Sequence, residues 1–76
     1  MADTRVDTEM AEAILEYLAE HPQAMDTLEG IAEWWLLRQQ IRVNLTALQR
    51  VLRGLTDTGL LDEVNAAGRR LYRLKT

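Results

Sequence analysis

The chain has no cysteine, which excludes disulfides and thiolate metal sites. It has one histidine, His21, directly before its one proline, Pro22. An imidazole zinc site needs more ligands than that. His21 reads instead as the exposed end of a helix, where its charge suits the helix dipole. No run of about 18 apolar residues occurs, so no membrane span is expected. The opening residues, MADTRVDTEMAEA, lack the basic and apolar stretches of a signal peptide, and a cytoplasmic location is expected. Catalytic signatures are missing too: no nucleophile with a neighbouring base, no glycine-rich phosphate loop, no HExxH. Carboxylates are plentiful, but general acid–base work needs a pocket that shifts their pKa values. No enzymatic activity, cofactor, metal or small-molecule substrate is therefore expected.

Basic charge is almost absent from the first part of the chain. Residues 1–33 hold one arginine against nine acids, a balance of −8. Residues 34–76 hold eight basic residues against Asp57, Asp62 and Glu63, a balance of +5, which leaves the net −3. Such polarity suggests one face made for an anionic partner and another turned from it. With 76 residues the chain makes one domain. A domain of this size buries only about 60% of the surface its unfolded chain exposes. There is room for one core and none for a deep cavity.

Residues 1–7 are polar and read as a flexible N-terminus, with one domain over 8–76. A first helix is expected from about Thr8 to Glu20, capped by Asp7 or Thr8. Met10, Ile14 and Leu18 recur at helical spacing, and Pro22 stops continuation. A second helix is expected to start near Asp26, with Asp26 and Glu29 spaced as a capping box. Leu28, Ile31, Ala32 and Trp35 form its core stripe. Trp34, Leu37 and Ile41 form a second stripe on another side. A second stripe fits either a central helix or a protein interface. Spacing favours the core for Trp34, with an interface anchor as the alternative. Asn44 is a good N-cap for a third helix that ends at Gly59. Leu60–Asn65 and Arg69–Leu74 read as strands joined by a turn in which Gly68 takes a positive φ. A residue or two near Ala24 could add a third short strand.

On a helical wheel Leu48, Val51, Leu52 and Leu55 share one arc of the third helix. Thr46, Gln49, Arg50 and Arg53 share the opposite arc. No acid occurs from Asn44 to Thr56. Arginine can bond guanine, and glutamine adenine, in bidentate fashion. The following strands carry Arg69, Arg70, Arg73 and Lys75, which can reach phosphates, though Asp62 and Glu63 could pair with them instead.

The run NLTALQRVLRGLTDTGLL, followed by two strands around NAAG, resembles the recognition helix and wing of a winged helix-turn-helix domain of the bacterial transcriptional-regulator type. TLEGIAEWW resembles the helix before the turn, so the likeness spans residues 10–75. It implies an α+β fold: a three-helix core followed by a two-stranded antiparallel β wing. It also implies double-stranded DNA as partner, with the third helix in the major groove and the wing on the backbone. Asn44, Thr46, Gln49, Arg50 and Arg53 would then face DNA from the helix, and Arg69, Arg70, Arg73 and Lys75 from the wing. Two departures stand out. EWWLLRQQIRV separates Ala32 from Asn44, so the second helix is extended or the turn enlarged, and no added dimerisation helix is present. The alternative is a protein-interaction module, with Trp34, Leu37 and Ile41 facing a protein partner or a second copy in a weak homodimer.

Overall fold

A computed structural model of the chain describes residues 4–39 and 43–75. The elements run α1 (Thr4–Glu20), β1 (Met25–Asp26), a second helix opening as α2 (Leu28–Gly30), α3 (Leu45–Asp57), β2 (Leu61–Ala66) and β3 (Arg69–Leu74). Three helices are followed by a two-stranded antiparallel hairpin, so the architecture is an α+β winged helix-turn-helix.

Helix α1 starts at Thr4, ahead of the expected Thr8. Asp7 and Thr8 therefore lie inside the helix rather than capping it. Val6 packs against the core, and Asp7 meets a partner on α3, so the extra turn has tertiary support. After α1, Pro22 sits in a turn closed by the Ala24 N–H donating to the His21 carbonyl at 3.0 Å. The chain then forms β1, which pairs antiparallel with β3. The sheet order is β1-β3-β2.

The cap of the second helix is Thr27, not Asp26. Thr27 Oγ1 accepts from the Gly30 N–H at 3.1 Å, and Asp26 Oδ1 accepts from the Thr27 N–H at 2.8 Å. Asp26 itself belongs to β1. Its carboxylate folds over Gly30, where an added Cβ would overlap it. Gly30 thus makes room for a capping carboxylate rather than for another helix.

From Ile31 to Leu36 the second helix widens into π geometry, with the Leu37 N–H donating to the Ala32 carbonyl five residues back. A 3-10 turn, Leu37–Gln39, closes it. The helix is thus extended, as the long EWWLLRQQIRV segment suggested. The widened turn brings Ile31, Ala32, Trp35 and Leu36 all into the core. Trp35 stacks on Tyr17 of α1 with ring centroids 4.7 Å apart, and the His21 ring lies 4.5 Å from that of Tyr17. Trp34 does not join them. It is 51% exposed, which overturns its expected place in the core. The widened helix turns the two tryptophans to different sides, and only one side meets α1.

Met10, Ile14 and Leu18 of α1, Ile31, Trp35 and Leu36 of the second helix, and Leu48 and Leu52 of α3 make the centre of the core, closed by Leu61 and Tyr72 of the sheet. Leu55, expected in this core, is only half-buried. It borders an open apolar groove with Ala11, Val51 and Leu60, past the end of the sheet's cover.

The wing turn is two residues long, with Ala67 at φ 53° and Gly68 at φ 75° between the paired Ala66 and Arg69. Two positive φ values make it the mirror-image turn that matches strand twist. Gly68 fits at no cost, while Ala67 is strained there.

Leu52→Ala is expected to lower stability by roughly 2–5 kcal/mol, read from thermal or urea unfolding. Ala67→Asn, which tolerates the left-handed region, is expected to raise stability by up to about 1 kcal/mol in the same assay.

Candidate nucleic-acid interface

The outward side of α3 is set by how the helix begins and ends. Asn44 Oδ1 accepts from the Thr46 and Ala47 N–H groups at 2.9 and 3.1 Å. Asn44 is thus an N-cap, with its oxygen committed to the helix. At the other end Gly59 takes φ 85°. The Leu60 N–H reaches the Leu55 carbonyl at 3.0 Å and the Gly59 N–H the Thr56 carbonyl at 3.1 Å, a Schellman closure. Between these stops Ala47, Leu48, Val51 and Leu52 are buried, and Thr46, Gln49, Arg50, Arg53 and Asp57 are exposed.

The wing continues this surface. Cross-strand partners point to the same face, so burial of Leu61 and Tyr72 assigns Glu63, Asn65 and Arg70 to the helix side of the hairpin. Arg73 and Leu71 belong to the opposite face. The four basic wing residues are therefore divided rather than gathered. Thr27, Leu28, Glu29, Gln49, Asn65, Arg69, Arg70 and Tyr72 line one open groove of about 410 Å³ between the second helix, α3 and the wing. A smaller hollow of about 90 Å³ joins Gln49, Arg53, Asp57, Glu63 and Arg70. Gln49, Arg53 and Arg70 thus share one concave, polar surface, and Arg69, on the opposite hairpin face with Leu71 and Arg73, only borders its turn end. Arg50 lies off to the α1 side and Arg73 on the far side of the wing. Lys75, past β3, is exposed, its N–H donating to the Leu60 carbonyl at 3.1 Å.

Several of these cations already hold acids. Arg50 grips Asp7 in bidentate fashion, Nε to Oδ2 and Nη2 to Oδ1 both at 3.0 Å. Arg70 pairs with Glu63, diagonally across the hairpin. Arg73 lies directly opposite Asp62, with Nη2 3.4 Å from Oδ2. Among the described residues Arg53 and Arg69 have no ion-pair partner. Exposed pairs of this kind are worth about 0–1 kcal/mol. They orient the guanidinium groups without sequestering them. The sequence marks Asp7 only as a candidate helix cap, and it does not mark Asn65 or Thr27. Asn65 could have been marked, since hairpin register alone puts it beside Arg70. Nothing local points Asp7 at a helix 43 residues away.

The second apolar stripe adjoins this surface, with Glu29 lining the grooves of both. Trp34 is 51% and Leu37 55% exposed, and the Arg38 guanidinium stands 5.1 Å above the Trp34 ring. Leu37 shares a shallow groove with Ala32, Val43 and Leu45, edged by Glu29 and Glu33. Ile41, the third member of the expected stripe, lies outside the described residues.

No family model matches this chain, and no curated protein or solved structure matches it either. Fold and surface chemistry must carry the reading. Among the described residues no group of three or more histidines, cysteines or carboxylates could hold a metal ion, and no helix is long and apolar enough to cross a membrane.

A double-mutant cycle on Asp7→Ala and Arg50→Ala is expected to give a coupling of about 0.5–1 kcal/mol, at the upper end for an exposed pair because it is bidentate. Unfolding in low and high salt should show the coupling shrink as salt rises.

Proposed function

We propose that this chain is a double-stranded DNA-binding module that acts in transcription regulation. A winged helix is a fold often used to bind DNA or protein, and fold alone does not choose between them. The observation that favours DNA is the shared concave surface of α3 and the wing, where Gln49, Arg53 and Arg70 converge. Those side chains suit the two tasks of a DNA reader. Gln49 and Arg53 match the donor and acceptor patterns of adenine and guanine in the major groove, with Thr46 beside them. Arg69, Arg70 and Lys75 suit phosphates along the flanking backbone. Arg50, whose fork already holds a carboxylate, suits a phosphate in the same bidentate way.

The acidic total weakens binding without removing it. Much of the negative charge lies along α1, where Glu9, Glu12, Glu16 and Glu20 are exposed. Long-range repulsion from these groups lowers affinity at low salt and is screened at moderate salt. A single domain with few phosphate contacts binds weakly, and a second copy or partner would raise its affinity. The exposed Trp34 and Leu37 favour a protein contact as a second reading.

Titration of fluorescent duplex DNA tests the reading. Binding is expected at low salt and should weaken as salt rises. Arg53→Ala should cost roughly 1–3 kcal/mol on a preferred sequence and less on random duplex, whereas Arg69→Ala should weaken both alike and flatten the salt slope by about one. Asp7→Asn and Glu63→Gln should each tighten binding by freeing an arginine. No binding at low salt, by a protein that melts normally, would end the DNA reading.

A further inference from the structure

We propose that two copies of this chain pair edge to edge through β2, antiparallel about a twofold axis at Val64, so that their sheets become one. Among the described residues β2 is an edge of the sheet, with β3 on one side and no strand on the other. The direction of its backbone groups follows from the hairpin. Leu60 and Lys75 continue the β2–β3 register, and the Lys75 N–H donates to the Leu60 carbonyl at 3.1 Å. Bonded and unbonded positions alternate along an antiparallel pair. Asp62, Val64 and Ala66 therefore turn their backbone groups to β3, as Leu60 does. Leu61, Glu63 and Asn65 direct theirs outward, where another strand can bond them. Edges are commonly blunted by a proline, a bulge or an unpaired charge. β2 has no proline, and its register runs unbroken from Leu61 to Ala66. Its acids, Asp62 and Glu63, are drawn across to Arg73 and Arg70 of β3.

A second β2 suits this edge because the strand is complementary to itself in one register. A twofold contact sets the same residues of both copies against one another. Centred on Val64, it sets Glu63 of each copy opposite Asn65 of the other. Both residues offer outward backbone groups, so each such pair closes with its own N–H to carbonyl bonds. Their side chains share a face, and the Asn65 amide can donate to the Glu63 carboxylate. Val64 then meets Val64 as an unbonded pair, the kind whose side chains lie closest. Val64 and Leu71 stand opposite each other on the face away from the helices, half-buried and outside the core. Pairing joins them to their counterparts in one apolar row across the combined sheet. Registers centred on Asp62 or Glu63 would set that acid against itself, and those centred nearer either end overlap too little of the strand. One strand of six residues makes a smaller contact than the about 800 Å² per partner of a standard interface. Association is therefore weak and concentration-dependent. The contact needs no DNA.

The test is sedimentation velocity from micromolar to millimolar protein, joined to disulfide trapping, with thermal melting of each variant as a check on folding. The parent should shift from monomer to dimer. Asn65→Pro removes an outward N–H and no bond to β3, so it should fold and stay monomeric. Val64→Cys supplies the chain's one thiol, and an unbonded pair holds its Cα atoms about 4.5 Å apart, within disulfide reach. Under mild oxidant it should form a covalent dimer. Asp62→Cys falls opposite Ala66 of the other copy, out of reach of its counterpart, and should cross-link at least about tenfold more slowly. A parent that stays monomeric throughout overturns the pairing. A dimer that persists in folded Asn65→Pro overturns the edge contact. Equal cross-linking of the two cysteine variants overturns the register, and that comparison decides the matter even where Asn65→Pro does not fold.

Discussion

Burial of Leu48 and Leu52 is the contact on which the rest of the molecule depends. These two residues of α3 meet α1 and the sheet in one continuous core. A chain this short has a single core, so each element can bury only one side. The phase of α3 against that core then decides what its other side shows. With Leu48 and Leu52 inward, Thr46, Gln49 and Arg53 must point out. The Asn44 cap and the Gly59 closure bound the helix, so the exposed set is limited to a few side chains.

The second helix solves a different problem. Its apolar residues are too many for one narrow stripe. Ile31 and Ala32, then Trp35 and Leu36, enter the core as adjacent pairs. The excess, Trp34 and Leu37, is left outside. A widened helix in the middle of a small domain is less favourable than a regular one. Here the stack of Trp35 on Tyr17 offsets that cost, because aromatic pairs contribute beyond the area they bury.

Electrostatics around α3 and the wing are balanced rather than one-sided. Asp7, Asp62 and Glu63 each hold an arginine, and all three pairs face solvent. Long flexible side chains lose less entropy on binding a ligand when they are already oriented. The carboxylates provide that orientation, and they also compete with any incoming phosphate.

Much of the local design was legible in the residues alone. Asn44 as a cap, Gly59 as a helix stop, Gly68 in the wing turn and the alternation through Tyr72 depend on a few neighbouring residues, and local chemistry decides them. The order of three helices and a wing follows from such signals read in sequence. Three things were decided only in three dimensions. Trp34 and Trp35 are adjacent and chemically identical, and only the docking of the second helix on α1 sends one inward and leaves the other out. The cap passed from Asp26 to Thr27 because Asp26 was drawn into β1 by pairing with β3. Asp7 and Arg50, far apart in the chain, met because α1 and α3 pack side by side. Propensity and periodicity describe each segment by itself, whereas helix phase, strand partner and charge partner are properties of the packed whole. The residues thus determined which elements form and in what order, and tertiary packing determined which of their surfaces remain available for a partner.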